Sequence, residues 1–147
     1  MRRHGEEGSA LVELTWLSLL LMVPLVYILM SVFDVQRGAF GVTAASRAAG
    51  RAYSLADSDA DGRRQARAAA TLALRDQGIE SADLDVQITC RPEPTHCLSP
   101  GSVITVLVRT RVSLPLAPAA LGGQAPSFRL ESTHQVPFGR YVEKRDQ

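Results

Sequence analysis

The chain has 147 residues, 16 Lys plus Arg against 15 Asp plus Glu, and two cysteines. That length allows one modest domain, and a formal net charge of +1 excludes the global basic field of a nucleic-acid binder. A mean hydropathy near zero averages a strongly apolar N-terminal third with an ordinary polar remainder.

The first element is the apolar run at 14–33, which contains no charged residue. Glu13 stands immediately before it, and Asp34 and Arg37 follow. A carboxylate flush against hydrocarbon is costly and calls for a reason. A helix of about 20 residues rises about 30 Å, the thickness of a bilayer core. The run holds seven Leu, three Val, one Ile and one Phe. On an insertion scale these sum to at most about −4 to −7 kcal/mol. We therefore predict a transmembrane helix over 9–33, with Pro24 kinking it rather than ending it. A secretory signal has a shorter apolar stretch, of about 7–15 residues, followed by a small-residue cleavage site. Here "VTAAS" at 42–46 has the right residue types, but Asp34 and Arg37 intervene.

Helical signals continue beyond the run. In "GVTAASRAAGRAYSLA" (41–56), Ala44, Ala48, Ala52 and Ala56 recur at i, i+4. They predict a narrow small-residue face for close approach of another helix. One helix over 9–55 follows, with 34–56 as its extension beyond the bilayer. Residues 56–62 read as a polar break rich in capping residues. Residues 63–78 read as a second helix stopped by Gly78. Asp57, Asp59 and Asp61 alternate, with Gly62 at the sixth place, as at the start of a calcium loop. The twelfth place is Ala68, so no EF-hand is expected.

The period then changes to two. Leu84, Val86 and Ile88 alternate in 83–90, and Ile104, Val106, Val108 and Thr110 alternate in 102–116. Both predict half-buried strands forming an antiparallel hairpin. Residues 117–127 read as a loop and 128–138 as a third, weaker strand. Pro137 suits an edge or an end, and His134 is expected to be exposed. The tail, 139–147, is polar. The fold class is α+β: a long N-terminal helix with its first half transmembrane, a second short helix, and a small antiparallel sheet of about three strands. Residues 57–147 form the small extracytoplasmic domain.

Cys90 and Cys97 bracket "RPEPTH". Zinc sites need four ligands, with pairs spaced C-x₂₋₄-C. A C-x₆-C pair with only His96 beside it predicts a disulfide and no metal. Disulfides persist outside the cytoplasm. The positive-inside count does not settle orientation, since Arg2 and Arg3 precede the run while Arg37, Arg47 and Arg51 follow it. The cysteines place the C-terminal part outside and the N-terminus in the cytoplasm. With no Gly-rich phosphate loop and no GxSxG in the sequence, neither an enzyme nor a cofactor is expected.

Two stretches carry a family resemblance. "GSALVE" (8–13) resembles the processing motif of type IV pilin-like precursors: a glycine, a cut, and a glutamate at the fifth mature residue. Cleavage between Gly8 and Ser9 would remove a leader of residues 1–8 and make Glu13 that fifth residue. The longer stretch, 12–52, is similar to the TadE-like family, minor pilins or pseudopilins of the tight-adherence (Flp) type IV pilus system. Glu13, Pro24, Asp34, Arg37 and "AASRAAGR" (44–51) fill that family's places.

The resemblance implies a pilin-like fold and a processed structural subunit of a tight-adherence pilus or related secretion fibre. Its partners would be a prepilin peptidase, other pilin-like subunits, the pilus assembly platform and the lipid bilayer, with no nucleic acid. It also implies that Glu13 faces the new α-amine of a neighbouring subunit, and that Gly8 leaves the scissile bond unhindered. Two other classes remain open. One is an uncleaved single-pass membrane-anchored binding module with an extracytoplasmic domain. The other is a secreted enzyme or redox protein using the cysteines.

Overall fold

The computed structural model describes residues 7–80, 83–113 and 127–139, and the side chains of residues 7–9 and 113 lie outside that description. The elements are α1 (Glu7–Ser54), α2 (Asp59–Asp76), β1 (Asp85–Arg91), β2 (Val103–Ser113) and β3 (Ser127–Pro137). The strands form one antiparallel sheet in the order β1-β2-β3. The fold is α+β, and the chain divides into two compact units, Met1–Asp34 and Val35–Gln147.

In the first unit, α1 is long and apolar enough to cross a membrane, and none of its apolar window is buried. It continues through Pro24, which lies inside it. Its hydroxyls return to the helix's own backbone: Thr15 Oγ1 donates to the Leu11 carbonyl and Ser31 Oγ to that of Tyr27, each at 2.8 Å. Such back-bonding would spare the hydroxyls an unpaired existence in hydrocarbon if the helix spans a membrane.

In the second unit, helices cover one face of the sheet. The even positions of β2 point to them: Ile104, Val106, Val108 and Thr110 are buried, with Ile88 and Cys90 alongside on β1. From α1 come Val42, Ala45, Ala49 and Tyr53, and from α2 come Ala66, Ala70 and Leu74. The buried face of α1 is therefore not the expected alanine row. Ala44 is exposed, and Ala48, Ala52 and Ala56 are half-buried. Val42 and Tyr53 offer far more apolar area to bury than alanine does, so they set the rotation of the helix. Glycines on the same side let it come close. A Cβ on Gly38 would lie 2.5 Å from Leu130 Cδ1, and one on Gly50 2.8 Å from Val136 Cγ2.

The second helix begins at Asp59 rather than 63. Ser58 caps it, accepting from the Asp61 amide, and Asp59 and Asp61 in the first turn complement the helix dipole. Its stop is as read. Gly78 takes φ +70°, and the Gly78 and Ile79 amides reach back to the Arg75 and Leu74 carbonyls.

The third strand pairs with β2 over its whole length, from Ser127↔Ser113 to Pro137↔Val103. It is an edge strand, with Pro137 as its last residue. His134 is half-buried rather than exposed, because it shares its strand phase with Leu130 and Val136 and faces α1. The linker 114–126 and the tail 140–147 lie outside the described residues.

The other face of the sheet is polar. Arg109 bridges Asp85 at 3.8 Å and Glu131 at 3.2 Å across the register, and Arg111 reaches Asp83 at 3.3 Å. Exposed pairs of this kind contribute about 0.2–1 kcal/mol each.

One buried polar atom is unmatched. Among the described residues Thr110 Oγ1 has no hydrogen-bond partner. Thr110→Val keeps the shape and removes the orphan. It should raise unfolding stability by about 1–2 kcal/mol, read as a higher denaturant midpoint with an unchanged slope. A lower midpoint would mean that the hydroxyl is satisfied.

Candidate functional site

Two places carry the chemistry anticipated from sequence: the start of α1 and the cysteine loop. At the first, the backbone of Gly8 and Ser9 lies in the opening turn of α1. Glu13 follows one turn later and is exposed. Residues 9 and 13 are i, i+4 neighbours on one helical face, about 6 Å apart along the axis. A chain beginning at Ser9 would carry its α-amine one turn from the Glu13 carboxylate. The helix starts earlier than the sequence indicated, so the Gly8–Ser9 peptide is helical. The amides of a first turn lack partners within the helix, which makes this turn cheap to open.

At the second, Cys90 and Cys97 form a disulfide with Cα atoms 5.3 Å apart. Both are buried. Cys90 sits near the end of β1, opposite Ile104. Ser102 Oγ donates to the Cys97 carbonyl, and the Phe138 amide donates to the Ser102 carbonyl at 2.8 Å. The loop is thereby tied to the start of β2 and the end of β3. Closing a loop this short removes denatured-state entropy worth roughly 2–3 kcal/mol.

Cys97→Ser should lower the unfolding stability of the full chain by about that much and leave Cys90 open to alkylation. Non-reducing peptide mapping and thermal melting check both outcomes. A fragment starting near residue 60 is unsuitable for this test, because it would lack Val42, Ala45, Ala49 and Tyr53 from the core.

No group of three or more His, Cys, Asp and Glu placed to hold a metal occurs among the described residues. Two acids of the 57–61 run serve the helix junction instead. Asp59 accepts from the Tyr53 hydroxyl at 2.5 Å, and Asp61 bonds Ser58 and Arg64. Burial first, then the hydrogen bond and charge of Asp59, hold the Tyr53 phenol well above its ordinary pKa. It stays a neutral donor and fastens the end of α1 to the start of α2. Sequence reasoning missed this pair. Its signal was a tyrosine four residues beyond Ala49 and five before the capping Ser58.

Compared with protein-family models, curated proteins and solved structures, the chain matches none.

Proposed function

We propose that this chain is a processed, pilin-like structural subunit that joins or primes a tight-adherence pilus or related secretion fibre. Its N-terminus lies in the cytoplasm and its α+β unit outside. A prepilin peptidase cuts after Gly8, and the matured helix associates with other pilin-like subunits and the assembly platform. The observation that carries the reading is the arrangement of α1. Gly8, Ser9 and Glu13 open a helix of 48 residues whose first part is apolar and uncovered and whose last turns are core of an α+β domain. A carboxylate at the entrance of a membrane helix needs a positive partner, and a new amine at Ser9 supplies one.

Sequencing the N-terminus of the protein from native membranes tests the reading. A first residue of Ser9 supports it, and an intact leader overturns it. The helical backbone at Gly8 favours the second reading, an uncleaved single-pass anchor for an extracytoplasmic binding module. The same measurement selects that reading if the leader persists.

Glu13→Ala should still be cut but should incorporate poorly beside wild-type subunits. Each roughly 1.4 kcal/mol lost from the charge pair lowers incorporation about tenfold. Quantifying tagged variant and wild type in sheared surface fibres checks this. Equal incorporation would make Glu13 a boundary residue only.

A further inference from the structure

We propose that copies of this chain join edge to edge, β3 of one beside β1 of the next, in a parallel strand pair that continues the sheet. The proposal rests on the subunit reading above and names the surface through which subunits meet. β3 pairs with β2 over 11 residues in an unbroken register, so no bulge blunts its outer edge. The Phe138 amide donates to the Ser102 carbonyl. Backbone groups alternate sides along a strand, so the even residues of β3 turn theirs to β2. Those of Ser127, Arg129, Glu131, Thr133 and Gln135 point outward. Pro137, which has no amide to offer, falls in the same outward phase. Carried through β2, the same alternation turns the backbone groups of Val86, Ile88 and Cys90 outward from β1. Among the described residues no backbone group pairs with either outer edge.

The two edges fit each other. β1 and β3 each run antiparallel to β2, so they run the same way, and copies in one orientation bring them together as a parallel pair. The odd residues of both strands are exposed on the polar face, so the faces match when odd meets odd. Charge sets the register. Within one copy Asp85 lies level with Glu131, each opposite Arg109. Level copies would set these two carboxylates opposite one another, which is destabilising. A stagger of two residues, about 7 Å, sets Asp85 opposite Arg129 instead. Arg129 makes no ion pair among the described residues, while Arg109 holds Glu131 at 3.2 Å and Asp85 less closely, at 3.8 Å. The charges of the contact balance, with Arg129 and Glu131 on one side and Asp85 and Arg91 on the other. On the helix-covered face the stagger sets Val86 beside Leu130, both half-buried in the single copy. Thr133 meets Thr89, and Pro137 stays clear of the pair. One contact of this kind covers both open edges and repeats from copy to copy, whereas β3 against β3 would leave β1 open.

β1 offers an edge of only 7 residues, smaller than a standard interface, so the contact is tested in the membrane, where copies are concentrated. The full chain with p-benzoylphenylalanine in place of Gln87 and one epitope tag is produced beside a second copy with a different tag, and native membranes are irradiated. Species carrying both tags should form, with position 87 joined to residues 129–133 of the other copy. Arg129→Glu should lower that yield several-fold, because it sets a second carboxylate opposite Asp85. Thr133→Pro should abolish it and leave the melting temperature nearly unchanged, since that amide points outward and serves no bond within the sheet.

Absence of species with both tags overturns the proposal, as does joining of position 87 to any element of the other copy but β3. So does cross-linking that survives either substitution. The N-terminus of the same membrane protein separates this inference from the reading it rests on. A chain beginning at Ser9 without the cross-link means that subunits meet elsewhere, so the inference fails and the subunit reading stands. Cross-linked chains that keep residues 1–8 mean that the edges meet and the processed-subunit reading fails.

Discussion

Gly62→Val is expected to cost the Val35–Gln147 unit about 3 kcal/mol. A Cβ at Gly62 would stand 2.8 Å from Tyr53 Cδ2 and 2.9 Å from Cε2. The ring is fully buried and its hydroxyl is held by Asp59, so it has nowhere to go. Propensity argues the other way, since replacing a helical glycine with alanine is worth up to about 1 kcal/mol when nothing is in contact. The sign of Gly62→Ala therefore decides between the two effects. Destabilisation means contact with the ring dominates, with valine worse than alanine. A higher midpoint for Gly62→Ala would mean the ring has room, and the close approach would be wrong. Tyr53→Leu combined with Gly62→Ala should cost less than the two separate effects added, because the shorter side chain vacates the clash. Denaturant unfolding of the full chain in detergent, followed by circular dichroism, measures all four proteins. For a domain whose total stability is of the order of 5–15 kcal/mol, the valine variant should also accumulate poorly in cells.

Much of this fold could be read from sequence, for identifiable reasons. The apolar run followed without proline by an alanine-rich stretch left no place for α1 to stop before Ser54. The strict alternation of Val86 and Ile88, then of Ile104, Val106 and Val108, admits only one face for the core of β1 and β2. Their hairpin register then places Cys90 beside the returning chain. What sequence hid was relative rotation and close approach. Alanines occur on two sides of α1, at 44, 48 and 52 and at 45 and 49, so their spacing alone does not say which side is buried. The glycines at 38, 41 and 50 look like helix weakeners until their neighbours in the fold are known. Polar residues misled in the same way. Ser58, Asp59 and Asp61 read as a break because such residues favour caps, yet the cap sits at the beginning of that run and the acids belong to the first turn. His134 hid the phase of β3, which Leu130 and Val136 carry.

At the candidate site, the residue types at Gly8, Ser9 and Glu13 were legible only through the resemblance to pilin-like precursors. Their placement on successive turns follows from helix geometry. The helical state of the Gly8–Ser9 peptide has no sequence signal strong enough to have been anticipated, since a glycine there argues against it.

That helical state sharpens the expectation for Gly8→Leu, which should leave the precursor uncut. On the proposed reading a peptidase must draw the Gly8–Ser9 peptide out of the first turn of α1 and bring catalytic groups up to its carbonyl. Glycine helps both steps. It weakens the turn by about 1 kcal/mol relative to alanine, and it has no side chain to crowd the approach. Leucine restores helix propensity and puts a branched side chain next to the scissile bond. Gly8→Ala separates the two contributions. Alanine is the strongest helix former but adds only a methyl group, so loss of cutting in both variants would mean that opening the turn limits the reaction. Loss in the leucine variant alone would mean that bulk at the cut does. The measurement is the intact mass of the membrane-extracted protein, compared with that of wild type shortened by residues 1–8. If the leucine variant matures at the wild-type rate, Gly8 is not the residue before a cut. The chain would then be an anchor that keeps its first turn, with Glu13 marking where water meets lipid.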